Sequence, residues 1–146
     1  MLSQASRNKG VRVLEIVEGA HVTLNGVVIS GGYAGEGAGI LNRGTLTLLS
    51  CEVKDSIADT RLLPSNCVDR RDAGKPIAGG GILNHGDLKM VNSVVSGNRA
   101  EGSGAQHEVG GQWCVRGGGI ANTGRMEDEG STISGNSACS TGGVRP

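Results

Sequence analysis

The pattern Gly-Gly-Gly-Ile-x-Asn-x-Gly, followed about fifteen residues on by Ser-Gly-Asn, occurs twice, from Gly79 to Asn98 and from Gly117 to Asn136. A worn third copy runs from Gly37 to Ser56. A unit this short cannot bury its own apolar face and must stack on its neighbours. Setting Ile40, Ile82 and Ile120 in one column gives offsets of 42 and 38. Asn42, Asn84 and Asn122 then align, as do Leu46, Leu88 and Met126, and Val53, Val95 and Ile133. An earlier copy without the glycines fits above them at an offset of 24, with Ile16 over Ile40, Val22 over Leu46, Leu24 over Leu48, Val27 over Cys51 and Ile29 over Val53. The reading is four coils of about two dozen residues, two of them lengthened by insertions at about 60–78 and 101–116.

Within a coil the pattern divides into three short strands, such as Gly81 to Asn84, Asp87 to Val91 and Ser93 to Ser96. Alternation turns Ile82, Leu88, Met90 and Val95 inward. Gly86 and Gly97 mark corners, where a left-handed backbone is cheap for Gly. The composition agrees: 27 Gly, no Phe, one Trp and one Tyr suit narrow sheets of Val, Ile, Leu and Ala better than an aromatic core. Aligned repeats of one sense do not call for the hairpins of a β-sandwich. The expected fold is all-β, a right-handed single-stranded parallel β-helix (a solenoid) of about four coils, with both insertions at one corner. Asn42, Asn84 and Asn122 would form a ladder of side-chain amides. The chain reads as a single domain over 1–146. Its end, Ser140 to Pro146, stops where another Gly-Gly-Gly-Ile unit would begin, so the expectation is a fragment of a longer array with neighbouring coils in the full-length protein.

Stacking also sets charges against each other. Asp87 should oppose Arg125, and Lys89 should oppose Glu127, complementary pairs that favour this register at about 0–1 kcal/mol each. Asp128 falls in the inward column of Leu24, Leu48 and Met90, where an unpaired carboxylate would cost several kcal/mol. The last coil is therefore expected to bulge, fray or expose it.

The Gly-Gly-Gly-Ile units and the [Val/Ile]-x-x-Asn elements (Val95 to Asn98, Ile133 to Asn136) resemble the repeats of polymorphic outer-membrane proteins. They are equally similar to bacterial right-handed β-helix surface proteins of the pectate lyase-like superfamily. The resemblance covers roughly Val11 to Ala138 and lacks the Phe common in the first family's second motif. It implies an extracellular or cell-surface location, although no secretory signal is visible in the first residues. It implies an adhesin-like structural module, or alternatively a carbohydrate-active enzyme, a polysaccharide lyase or glycoside hydrolase, with calcium as a cofactor only in that second case. A polysaccharide or host-surface ligand is the partner implied.

Fourteen basic and fourteen acidic residues give zero net charge, which implies no nucleic-acid partner, and no apolar stretch is long enough to span a bilayer. Long loops on a rigid stack are where function usually sits. The candidate binding residues are accordingly Asp69 and Asp72 in the first insertion, Trp113 in the second, and Arg43 and His85 on the adjacent strands. That face would show Leu41, Leu83 and Ala121, then Arg43, His85 and Thr123. It carries no carboxylate pair for hydrolysis, so no catalytic residue is assigned. Neighbouring Arg43 and His85 fit anion contact. The charged neighbours of Thr45 and Thr47 argue against an ice-binding face. Cys51 reads as a small buried apolar residue. Cys67 and Cys114 lie in adjoining insertions and could form a disulfide, with Cys114–Cys139 as the alternative. Neither Cys-x-x-Cys nor His-x-x-x-His spacing occurs, so no metal site is assigned.

Overall fold

The computed structural model describes residues 2–3, 11–59, 79–103 and 117–141. Within them the chain winds as a parallel β-helix of four coils, and every strand pair is parallel. A two-residue strand, β1 (Leu2–Ser3), precedes the coils. Coil 1 comprises β2 (Leu14–Ile16), β3 (His21–Asn25), β4 (Val28–Ser30) and β5 (Tyr33–Ala34). Coil 2 comprises β6 (Ile40–Asn42), β7 (Thr45–Leu49), β8 (Glu52–Lys54) and β9 (Ile57–Asp59). Coil 3 comprises β10 (Ile82–Asn84), β11 (Asp87–Val91), β12 (Val94–Ser96) and β13 (Arg99–Ser103). Coil 4 comprises β14 (Ile120–Asn122), β15 (Arg125–Glu129), β16 (Thr132–Ser134) and β17 (Ser137–Thr141).

Each coil thus has four strands rather than the expected three. They form a first sheet of β2, β6, β10 and β14, and a second of β3, β7, β11 and β15. β4, β8, β12 and β16 form the third, with β1 added beside β4, and β5, β9, β13 and β17 form the fourth. The fourth sheet was hidden by its own composition. Its inward column is Ala34, Ala58 and Ala100, which with Ala38 makes a small separate cluster. Alanine carries little strand signal. For the same reason the second insertion begins later than expected, because residues 101–103 continue β13.

The register otherwise follows the alignment, with Leu46, Leu88 and Met126 in one column and Val53, Val95 and Ile133 in another. The inward Ile, Leu, Val and Met side chains, with Cys51, form one core cluster. Coil 1 departs at its first strand: Leu14, not Ile16, lies over Ile40, and Ile16 lies over Asn42. Its corner from Ile16 to His21 holds two more residues than the corner from Asn42 to Thr45, which a gapless alignment cannot accommodate.

Asparagine joins the coils at two places. In the expected ladder Asn42 Nδ2 donates to Asn84 Oδ1 at 2.7 Å and Asn84 Nδ2 to Asn122 Oδ1 at 2.6 Å. Each Oδ1 also accepts the backbone N–H two residues on, at Gly44, Gly86 and Gly124. Ile16 closes the ladder at the top. A second ladder, not expected from the sequence, runs through the Asn of Ser-Gly-Asn. There the Asn98 N–H and Nδ2 both donate to Asn136 Oδ1 at 2.9 Å, and Ser56 N–H donates to Asn98 Oδ1 at 3.1 Å. The glycine triplet has its cause here. A Cβ on Gly81 would lie 2.8 Å from Asn98 Nδ2, and one on Gly119 would lie 2.8 Å from Asn136 Cγ, closer than packed atoms tolerate. Two corner columns are left-handed throughout: Gly26, Ser50, Asn92 and Gly130, and Gly31, Asp55, Gly97 and Gly135. Gly86 is not among them; its place follows from stacking, since a Cβ there would lie 2.1 Å from Gly44 O.

Asp128 resolves as one of the expected alternatives. β15 keeps unbroken register with β11, Met90 opposite Asp128, without a bulge, and Asp128 is exposed because coil 4 forms the lower end of the described stack. Asp87 opposes Arg125 and Lys89 opposes Glu127 in register. The ion pairs among the described residues are others: Arg12–Glu15, Arg43–Glu15 and Arg99–Glu101.

Candidate functional site

Both long connections, 60–81 and 104–119, run from the fourth sheet to the first, from consecutive coils and at one corner. The corner is therefore defined by the outer faces of those two sheets.

On the first sheet, Leu41, Leu83 and Ala121 do not present themselves to a ligand. Leu83 is fully buried and Leu41 and Ala121 nearly so, forming a cluster of their own outside the main core. The first glycine of each triplet explains this. Gly37, Gly79 and Gly117 have φ between +53° and +73°, and a Cβ on Gly79 would sit 3.0 Å from Leu83 Cα. The entering chain thus doubles back against the outer face of the strand, a close approach open only to glycine.

Beyond that shelter lie Arg43, His85 and Thr123. Their backbones are neighbours, with His85 N–H donating to Asn42 O and Thr123 N–H to Asn84 O. Their side chains diverge. Arg43 turns to coil 1, where Nη1 meets Glu15 Oε2 at 2.8 Å. Glu15 also takes Arg12 at 3.2 Å, and Arg12 in turn donates to the carbonyls of Glu36 and Gly37. His85 turns to coil 4, with Nδ1 2.6 Å from Thr123 Oγ1. Thr123 Oγ1 also lies 3.3 Å from Asn84 O, and the His85 residue is exposed. Arg43 and His85 are adjacent but already engaged with different partners, and the arrangement brings no joint anion site together.

On the fourth sheet, alternation puts Tyr33, Ile57 and Arg99 outward, and beside them Asp59 and Glu101, which are register partners in coils 2 and 3. Tyr33 Oη donates to Asp59 Oδ2 at 2.7 Å, and Arg99 Nε meets Glu101 Oε2 at 2.7 Å. Asp59 is only 1% exposed, whereas about half of the Arg99 side chain and a third of Glu101 face solvent. Asp59 therefore positions the tyrosine, and Arg99 with Glu101 are the groups a ligand can reach. Arg99 and Glu101 thus present one guanidinium donor and one carboxylate acceptor side by side at the surface. By sequence, Glu101 falls in the expected insertion at about 101–116, and Asp59 carries no assignment. The signal was present: Ile57-Ala58-Asp59 over Arg99-Ala100-Glu101 repeats at the same offset of 42 as the rest of coils 2 and 3.

Trp113, Asp69, Asp72, Cys67 and Cys114 lie outside the described residues. Cys51 is a free, buried thiol, with Sγ 3.3 Å from Leu24 O. Among the described residues no three His, Cys, Asp or Glu side chains gather as a metal site, and no helix is long and apolar enough to cross a membrane. The class that the fold defines is the parallel β-helix solenoid. Comparison with family models, curated proteins and solved structures found no match.

Proposed function

We propose that this chain is a structural, adhesin-like β-helix module of an exported or cell-surface protein, built to hold ligand-contacting loops at one corner. One observation carries the reading: both long connections leave consecutive coils at the same corner, beside the solvent-facing Arg99 and Glu101. The interior columns and both ladders are occupied in holding coil to coil, so contact with a partner falls to this corner. The chemistry there, carboxylate and guanidinium beside a tyrosine, fits a polysaccharide or a glycan on a host surface. The resemblance to outer-membrane and pectate lyase-like repeats supports the location and the ligand class.

A second reading is a polysaccharide lyase or glycoside hydrolase, which would draw its carboxylates, and calcium in the lyase case, from the insertions. Screening the full chain against immobilised polysaccharides, polyuronates included, with and without calcium, separates the two. The scaffold reading expects retention without cleavage, weakened about tenfold or more by Arg99→Ala. Reproducible cleavage of any of these polymers would overturn it in favour of the enzyme.

A further inference from the structure

The corner between the second and third sheets is tied from coil to coil by main-chain bonds. Gly26 N–H donates to Leu49 O at 2.9 Å, Ser50 N–H to Val91 O at 2.9 Å and Asn92 N–H to Glu129 O at 2.8 Å. The two lower joints carry a second tie one residue on, where Cys51 N–H donates to Ser93 Oγ and Ser93 N–H to Ser131 Oγ, each at 3.0 Å. Between coils 1 and 2 that tie is absent among the described residues. Beneath Val27 stands Cys51, whose Sγ is directed instead at Leu24 O and Leu49 O. The joint with fewest bonds is the one that opens most readily. It also holds the only Asn-Gly pair of the chain, Asn25-Gly26.

We propose that Asn25 is a site of spontaneous deamidation, gated by the bond from Gly26 N–H to Leu49 O. The amides of Asn42, Asn84, Asn98, Asn122 and Asn136 are held in hydrogen bonds. Asn92 leans over the next coil, where a Cβ on Gly130 would lie 2.6 Å from its Oδ1, and a serine follows it. Asn25 is exposed at the end of β3, and its amide has no bond to another described residue. A Cβ on Gly26 would meet nothing within 4 Å, so the approach to its nitrogen is open. When the joint opens, Gly26 N–H loses its proton to hydroxide and the nitrogen attacks Asn25 Cγ. A C–N bond forms, the Cγ–Nδ2 bond breaks, and Nδ2 leaves as ammonia with a proton from water, giving a cyclic imide. Water then opens the imide, at Cγ to aspartate or at the main-chain carbonyl to isoaspartate. Nothing is oxidised or reduced. Either product adds a negative charge to a chain whose formal net charge is zero. Isoaspartate also lengthens the main chain by a methylene between β3 and β4, which displaces Gly26 N–H from Leu49 O.

The test holds the full chain in mildly alkaline buffer, with and without urea, and locates converted residues by peptide mass spectrometry that separates aspartate from isoaspartate. Asn25 should convert before any other described asparagine, at least tenfold more slowly in the folded chain than in urea. Gly26→Ser hinders the attack and should slow conversion at least tenfold in both conditions. Ser50 holds the same corner at φ 51°, so this variant should keep the parent's circular dichroism. Cys51→Ser supplies the missing hydroxyl in the column of Ser93 and Ser131. It should slow the folded chain at least threefold and leave the rate in urea unchanged. The proposal is overturned if another described asparagine converts first, or if Asn25 keeps its amide in the folded chain throughout. Equal rates with and without urea, or a folded Cys51→Ser chain that converts as fast as the parent, would remove the gate and overturn it too. None of these outcomes bears on glycan binding beside Arg99 and Glu101, so this inference and the scaffold reading can fail separately.

Discussion

Coil 3 and coil 4 carry the same motif in the same register, yet their side chains occupy different surroundings. Asn84 is buried and bonded to the coils on both sides, while Asn122 is exposed and bonded upward only. Met90 is sealed in the core and its successor Asp128 faces water. The difference teaches that burial in this molecule is conferred by the next coil, not by the sequence of the coil itself. Identical substitutions in the two coils should therefore have unequal costs.

The largest inequality is expected at the core column. Met90→Ala removes a fully buried side chain and should cost about 2–5 kcal/mol, whereas Asp128→Ala should stay within about 0.5 kcal/mol. Urea unfolding followed by circular dichroism measures both. Equal costs would mean that coil 4 is covered and the contrast is false. Next comes the ladder. Asn84→Ala leaves the Gly86 N–H and Asn122 Oδ1 without their bonds to this amide, about 2–3 kcal/mol in buried surroundings, and Asn122→Ala should cost under about 1 kcal/mol. Hydrogen exchange at Gly86 and Gly124 would sharpen the point, with Gly86 losing protection only in the first variant. The smallest effect should be favourable. Ser50 has φ 51° in a corner column otherwise held by Gly26, Asn92 and Gly130. Ser50→Gly relieves a left-handed penalty of about 1–2 kcal/mol against about 0.5–1 kcal/mol of added backbone entropy cost, a net gain of up to about 1.5 kcal/mol in the same unfolding assay.

Much of the architecture was legible because stacking forces columns into register. Leu46 over Leu88, Val53 over Val95, the amides of Asn42, Asn84 and Asn122, and the shared corner of both insertions all followed from aligned offsets. What escaped had a physical reason in each case. The fourth sheet is built on alanines, too small to announce a strand. The outward Leu41 and Leu83 are sheltered by a glycine turn whose path alternation cannot reveal. The second ladder uses an asparagine that reads equally well as an ordinary turn residue. The candidate site suffered from the same blindness, because Tyr33, Asp59, Arg99 and Glu101 all sit on the sheet that was not foreseen. Side-chain direction was also illegible: Arg43 and His85 are adjacent as expected, but each turns toward a different coil.

The corner between the fourth and first sheets joins its coils through segments as unlike as 35–39, 60–81 and 104–119, and the strands on either side hold one register regardless. Doubling a loop costs only about 0.6 kcal/mol in closure entropy, so what is spliced there scarcely troubles the rest. Foreign peptides grafted into successive coils would emerge from rows about 4.8 Å apart, near enough to merge into a composite surface. The molecule is thus laid out as a display rack, whose pegs are fixed and whose contents can be exchanged.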